Sequence, residues 1–221
     1  LDFAAQSADL AQLDVTDEAA IGVIARRVRP TVWVHHAGHA ADYASPDYDA
    51  AMGRAVNVQP LEAVFAAMAD TGGAVILTGS SAEYPSSDDA NHEDDTGQPE
   101  TPYGLSKRAE TERAHDLAAR TGVPTRIGRL YIPFGILDHP AKLLAQVIAG
   151  LRAGTPRRDF IGVGDVTDAW LKMARDLTRG GFDIFNICSG EATELRALLL
   201  AVADALGADD RLLRFGARPM R

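Results

Sequence analysis

One cysteine, three lysines, few aromatic residues and no long apolar run mark this 221-residue sequence, and each shortage removes a class of protein. Cys188 alone cannot close an intrachain disulfide, and it fits a reducing, cytoplasmic setting. No run of apolar residues is long enough to span a bilayer, and no basic-then-apolar leader is visible, so neither a membrane span nor a signal peptide is expected. Basic residues are also short: 22 Lys+Arg stand against 31 Asp+Glu, a net charge of −9, which argues against a nucleic-acid partner. His35, His36 and His39 lie close together, but no cysteine or carboxylate stands at ligand spacing, so no metal is expected. No internal repeat is visible. A 46% hydrophobic content can bury one large domain, or one domain plus a small lobe.

Apolar runs alternate with helical stretches, the signature of βαβ units on a parallel sheet. The pattern predicts a helix ending over Ile21–Val28, a strand at Thr31–His35 and a long helix over roughly Asp47–Ala69. A short apolar strand at Ala74–Leu77 precedes a helix at Tyr103–Thr121, which Gly122 and Pro124 should stop. A strand at Thr125–Leu130 follows. Helices near Ala141–Ala153, Val166–Thr178 and Thr193–Leu206 then frame strands at Phe160–Val163 and Phe182–Cys188. Between Pro85 and Pro102 lie six acids, three prolines and no apolar period. That composition predicts a solvated surface loop, although its place between Ser80 and Tyr103 also allows a flap beside a site.

Tyr103-Gly-Leu-Ser-Lys107 sets a phenol and an ammonium at i and i+4, on one face of a helix's first turns. A tyrosine of pKa about 10 is a poor base at neutral pH. A neighbouring ammonium, helped by the helix dipole, lowers that value and makes a usable acid/base. A helix-start tyrosine with a surface lysine is the plainer reading of the same residues. Context favours the chemistry, because the strand Ala74–Leu77 runs into the hydroxyl-rich turn Thr78-Gly-Ser-Ser-Ala-Glu-Tyr84. Ligands bind at such carboxyl ends in open α/β sheets, and Ser80 or Ser81 could hold a reacting oxygen there.

Together these residues resemble the extended short-chain dehydrogenase/reductase family, the NAD-dependent epimerase/dehydratase group that acts on sugar nucleotides. Asp14-Val-Thr-Asp17 resembles its acidic turn beside the adenine, and His35-His-Ala-Gly38 its strand-end loop along the cofactor. Asn57-Val58 is similar to its helical Asn-Val. Arg158-Asp-Phe-Ile-Gly-Val-Gly-Asp165, Asn186-Ile-Cys-Ser-Gly190 and Gly216-Ala-Arg-Pro-Met-Arg221 resemble its later substrate-side stretches. The resemblance implies a Rossmann-type, doubly wound parallel sheet over residues 1–135 and mainly a small C-terminal substrate lobe over 136–221, with elements returning to the sheet. It implies NAD or NADP as cofactor, held by Asp14, Val15, His36, Ala37, Gly38, Tyr103 and Lys107. Ser80, Tyr103 and Lys107 would be catalytic, with Ser81, Arg129, Arg158 and Arg221 joining Ser80 on the substrate. Two guanidinium forks, on Arg158 and Arg221, suit a diphosphate. The partner implied is a nucleoside-diphosphate sugar, and a homodimer is allowed.

Departures from the family pattern narrow this. Its Gly-x-x-Gly-x-x-Gly loop is absent, which predicts a strand and phosphate loop ahead of Leu1. Arg129 stands where many members have Asn, and Ile132 where they have Gly. Ala82 occupies the place of the glutamate that drives water loss in dehydratases, while Glu83, one step on, would point elsewhere on an extended segment. That argues against a dehydratase, and because Phe134-Gly-Ile-Leu-Asp-His-Pro-Ala-Lys-Leu143 and Gly216–Arg221 resemble deoxysugar reductases more closely, the favoured activity is a sugar-nucleotide 4-ketoreductase. A 4-epimerase is the alternative, and a non-catalytic cofactor-sensing protein stands behind both.

Overall fold

A computed structural model describes residues 11–87, 89–135, 157–205, 207 and 209. Asp17 opens the first helix by accepting the Ala20 N–H at 3.0 Å, so α1 runs over Glu18–Val28, with Arg29 closing it in the left-handed conformation. Strand β1 (Val32–His35) comes directly after it. The long helix expected over residues 47–69 is interrupted. A short α2 (Ala50–Gly53) widens into a π turn at Arg54–Val58, where the Gln59 N–H reaches back to the Arg54 carbonyl. Pro60, which has no N–H to give, separates this turn from α3 (Leu61–Thr71). Gly72, at φ 72°, closes α3.

Strand β2 (Ala74–Ser80) is longer than the apolar run suggests, because Thr78, Gly79 and Ser80 pair on with Gly128, Arg129 and Leu130. A 3-10 turn, Ser81–Glu83, comes next. Helix α4 (Pro102–Thr121) starts one residue before Tyr103, since Thr101 caps it by accepting the Gly104 N–H at 3.0 Å and Pro102 suits the first position. Then come β3 (Thr125–Leu130), β4 (Ile132–Phe134), β5 (Arg157–Gly162), α5 (Val163–Asp176), β6 (Phe182–Ile187), β7 (Ala192–Glu194) and α6 (Leu195–Ala205).

Strands β1, β2, β3 and β6 form a four-stranded parallel sheet in the order β1-β2-β3-β6, and β4, β5 and β7 form a smaller three-stranded one. Alternation along β2 serves two cores. Val75 and Leu77 join Ile21, Phe65, Met68 and Leu117 on the α1, α3 and α4 side. Ala74 and Ile76 join Ile161, Met173, Leu177 and Ile187 on the α5 side. Helices thus cover both faces, which is the expected α/β arrangement, and all four parallel strands point their carboxyl ends the same way. At the amino ends of the strands, buried Arg126 binds Asp176 at 2.9 Å and the Gly180 and Gly181 carbonyls at 2.9 and 3.1 Å, fastening β3 to the end of α5. Among the described residues no helix is long and apolar enough to cross a membrane. The helix expected at 141–153 lies outside the described residues.

Candidate active site

Three chain segments converge at the carboxyl ends of β1 and β2. The first is the turn that β2 makes at Ser80, whose hydroxyl accepts the Ala82 N–H while the Glu83 carboxylate accepts the Ser80 N–H at 2.8 Å. This reciprocal cap bends the chain into a 3-10 turn where an extended segment was expected. Glu83 consequently points back beneath the turn, fully buried, and also receives Thr111 Oγ1 at 2.8 Å and Arg129 Nε at 3.0 Å.

The second segment is the start of α4. A Cβ on Gly104 would lie 2.2 Å from the Ala82 carbonyl oxygen, so only glycine lets the helix come this close to the serine turn. One turn separates Tyr103 from Lys107, and both face the end of β2. The Ser80 side chain is near enough to the Tyr103 phenol to pull its pKa down. Lys107 is buried; its Nζ donates to the Thr78 carbonyl at 2.8 Å and to Glu110 Oε2. Tyr43 and Tyr48 stand edge-on to the Tyr103 ring, each with centroids 5.7 Å away.

The third segment is the loop after β1. His36 Nδ1 meets Thr78 Oγ1 at 2.8 Å, and the His39 N–H donates to Asn57 Oδ1 at 2.7 Å. Asn57, carried inward by the π turn, also donates to Ser106 Oγ at 3.0 Å, so it ties this loop to α4. Ala37 and Gly38 are left exposed between these anchors.

The electrostatics differ from the expectation at one point. Burial raises the Tyr103 phenol above its ordinary pKa; Lys107 and Ser80 pull it down, as their positions suggest, but do not win, and Glu110 works against them. Burial alone would lower the Lys107 ammonium, yet Glu110 beside it carries the pKa above the ordinary lysine value. The Glu110 carboxyl is pushed up to about 7 by burial, against the pull of Lys107. His35 is driven down to about 4 by burial, then by Lys107 and His36.

Other expected site residues fare unevenly. Arg129 is 1% exposed and spends its fork on Glu83, on Tyr84 Oη at 2.6 Å and on the Glu93 carbonyl at 2.9 Å. It is an internal pin in this structure, where the sequence reading set it on the substrate. Asp14 lies in an exposed turn, accepting from Thr16 N and Oγ1 at 2.9 and 2.7 Å, with half-buried Val15 beside it. No hydrogen bond among the described residues joins them to the Ser80 group. Ser81 is half-buried in the 3-10 turn. Arg158 is exposed on β5, with Nη1 on the Arg157 carbonyl at 2.9 Å. Among the described residues it makes no ion pair, with Asp165 or any other acid. Arg221 lies outside the described residues.

The acidic segment is more than a solvated loop. Glu93 Oε1 accepts the Asn186 N–H at 2.8 Å, the Asn91 carbonyl accepts Asn186 Nδ2 at 3.1 Å, and Arg129 holds the Glu93 carbonyl. These bonds fasten it across the carboxyl ends of β3 and β6. Two close neighbours, Tyr48 and Glu110, escaped the sequence reading, and His35 was read only as the start of the strand-end loop. Glu110 had a signal, since a carboxylate three residues after a lysine shares its helix face.

A family model for the NAD dependent epimerase/dehydratase family matches residues 2–188. GDP-6-deoxy-D-mannose reductase of Pseudomonas aeruginosa is 25% identical over 144 residues, 59% of this chain. This chain spans about half of that relative's length, 47%. A putative epimerase from Burkholderia cenocepacia superposes with a TM-score of 0.73 at 27% identity, covering 95% of this chain and 74% of that one. UDP-glucose 4-epimerase from Brucella ovis, in complex with NAD, gives a TM-score of 0.78 over 92% of this chain and 71% of the other. At 21% identity the latter is a likeness of fold.

Proposed function

This chain belongs to the NAD dependent epimerase/dehydratase family, and on that premise we propose that it is an NAD- or NADP-dependent enzyme moving hydride on a nucleoside-diphosphate sugar. The observation that carries the reading is the meeting of Ser80, Tyr103 and Lys107 at the carboxyl end of a parallel strand. The residues fit a nicotinamide cofactor at its ribose end. Lys107 has three N–H donors and spends two on Thr78 and Glu110, which leaves one for a ribose hydroxyl. Ala37 and Gly38 are exposed after the end of β1, the strand that pairs with β2. The cofactor, when bound, supplies or takes the hydride.

The chain's own part is the proton. Ser80 Oγ holds the sugar oxygen, and the Tyr103 phenol gives its proton to that oxygen as a ketone becomes an alcohol, or takes it back in the reverse direction. Lys107 favours the phenolate that results. Arg158, exposed and without an acidic partner among the described residues, is free to meet a diphosphate.

We favour a 4-ketoreductase, which the likeness to the Pseudomonas reductase supports. The likeness to the Burkholderia putative epimerase supports an epimerase as the second reading, with position 4 the expected site. Cofactor stoichiometry separates them: a reductase consumes one reduced nicotinamide per product, and an epimerase consumes none. The test is Tyr103→Phe, assayed with a panel of UDP-, GDP- and dTDP-sugars and their 4-keto forms. Loss of the proton relay should lower the rate by about 10²- to 10⁴-fold with cofactor affinity unchanged. Turnover close to wild type sinks the reading.

A further inference from the structure

Glu110 has no role in the chemistry above, yet it is a carboxyl enclosed right beside it. It is 2% exposed, ion-paired to Lys107, and its Oε1 is buried with no hydrogen-bond partner among the described residues. Enclosing a carboxyl that is only half satisfied is costly, and a structural contact here could have been apolar. We propose that Glu110 is a positioning residue for the Tyr103–Lys107 pair: it holds the ammonium against the Thr78 carbonyl, and its charge sets how strongly that ammonium is felt at the phenol. The proposal rests on the reading of Tyr103 as the proton-exchanging group.

Lys107 is gripped from two sides, by a β2 carbonyl at 2.8 Å and by Glu110 on its own helix, so its remaining N–H has a fixed direction. Tyr103 and Glu110 are seven residues apart, about 10 Å along the helix axis. At that range, with an effective dielectric near 20, a unit charge moves a pKa by about one unit. The signs oppose: Lys107 pulls the phenol down and Glu110 pushes it up. Burial raises the Glu110 carboxyl to about 7, so both of its charge states occur near neutral pH. Protonated, Glu110 uncovers the lysine's field and the phenolate becomes easier to form; ionised, it cancels much of that field.

The other charged groups around Glu110 are few. Glu83 on the 3-10 turn pushes its carboxyl in the same direction as burial, and Glu83 is itself paired with Arg129 of β3. His35 of β1 faces Lys107. On α3, Glu62 is turned to Arg113 and Arg120, and Arg54 on the π turn is exposed.

The test is a carbon-13 NMR titration of the whole protein labelled at tyrosine Cζ, from about pH 5 to about pH 9. The Tyr103 resonance is identified by its loss in Tyr103→Phe. It should show an inflection near pH 7 as Glu110 ionises. That inflection should vanish in Glu110→Gln and survive in Glu112→Gln, which removes an exposed charge two residues on. A flat wild-type profile overturns the proposal without any variant, and so does an inflection that persists in Glu110→Gln. Should Glu110→Gln not fold, the double variant His36→Gln/His39→Gln decides: an inflection kept supports Glu110, and one lost assigns it to those histidines. A flat profile beside an inactive Tyr103→Phe sinks this inference alone. An active Tyr103→Phe sinks the functional reading instead.

Discussion

Replacing Glu83 with glutamine keeps the side chain's shape and removes one charge, so it isolates what that charge does. In the wild type one carboxylate oxygen accepts the Ser80 N–H at 2.8 Å. The other accepts both Thr111 Oγ1, at 2.8 Å, and Arg129 Nε, at 3.0 Å. An amide has a single acceptor oxygen, so in either orientation an NH₂ group must face an N–H donor. Arg129, its side chain 1% exposed, would keep Tyr84 and the Glu93 carbonyl but lose its counter-ion. Breaking a buried pair from one side costs about 3–5 kcal/mol. For a chain of this size each kcal/mol lowers the melting temperature by about 2–4 °C, so Glu83→Gln should melt about 6–20 °C lower. Circular dichroism melts, with urea titrations to confirm unchanged cooperativity, measure it. The double variant Glu83→Leu/Arg129→Met removes both charges and should recover more than half of the loss. A single variant melting within about 2 °C of wild type would refute the pin, as would a double variant no better than the single.

Gly104→Ala should drive a methyl into the Ala82 carbonyl, costing about 1–3 kcal/mol and parting Ser80 from Tyr103, so turnover should fall further than melting does. The exposed neighbour change Leu105→Ala should leave both nearly unchanged. The pH dependence of stability comes from two groups of opposite sign. His35, lowered from 6.5 to about 4, contributes stability that is full above about 6.5 and is lost as pH falls towards 4. Glu110, raised from 4.5 to about 7, contributes stability that is full below about 4.5 and is lost as pH rises through 7. Between about pH 4.5 and 6.5 the two slopes oppose, and urea midpoints of the wild type should change little. His35→Leu removes one slope, so its midpoint should fall steadily with rising pH; a flat midpoint would show that Glu110 is not held protonated.

Where a local signal and the tertiary environment agreed, the sequence was legible. Strand β3 has the expected ends because Pro124 precedes it and residues 125–129 are buried on both faces. Strand β2 ran past its apolar run because pairing with β3 continues through small residues that read as a turn. The break at Pro60 was visible as a proline, yet the apolar stripe on either side outweighed it. The meeting of Tyr103, Lys107 and Ser80 was legible from helix spacing and strand-end chemistry. Arg129 was not, because its partners Glu83 and Glu93 lie 46 and 36 residues away and no periodicity links them. The same holds for the acidic segment, whose anchors on Asn186 span 93 and 95 residues.

The π turn at Arg54–Val58 constrains this chain in its length. A helix advances by about 100° per residue, so one extra residue in a turn changes the phase between the residues before it and those after it. Ahead of the turn, Gly53 must face Tyr48 and Ser106, where a Cβ would lie 2.4 Å from the Tyr48 hydroxyl. Behind it, Leu61, Val64, Phe65 and Met68 must face the core. Deleting one residue between them would close the π turn into an ordinary one and rotate the two faces apart by about a quarter turn. Either Asn57 would leave the His39 loop or the apolar stripe would leave the sheet. Exposed Arg54 and half-buried Ala55 and Val56 have room to vary in kind, but their number is held by the phase of the helix.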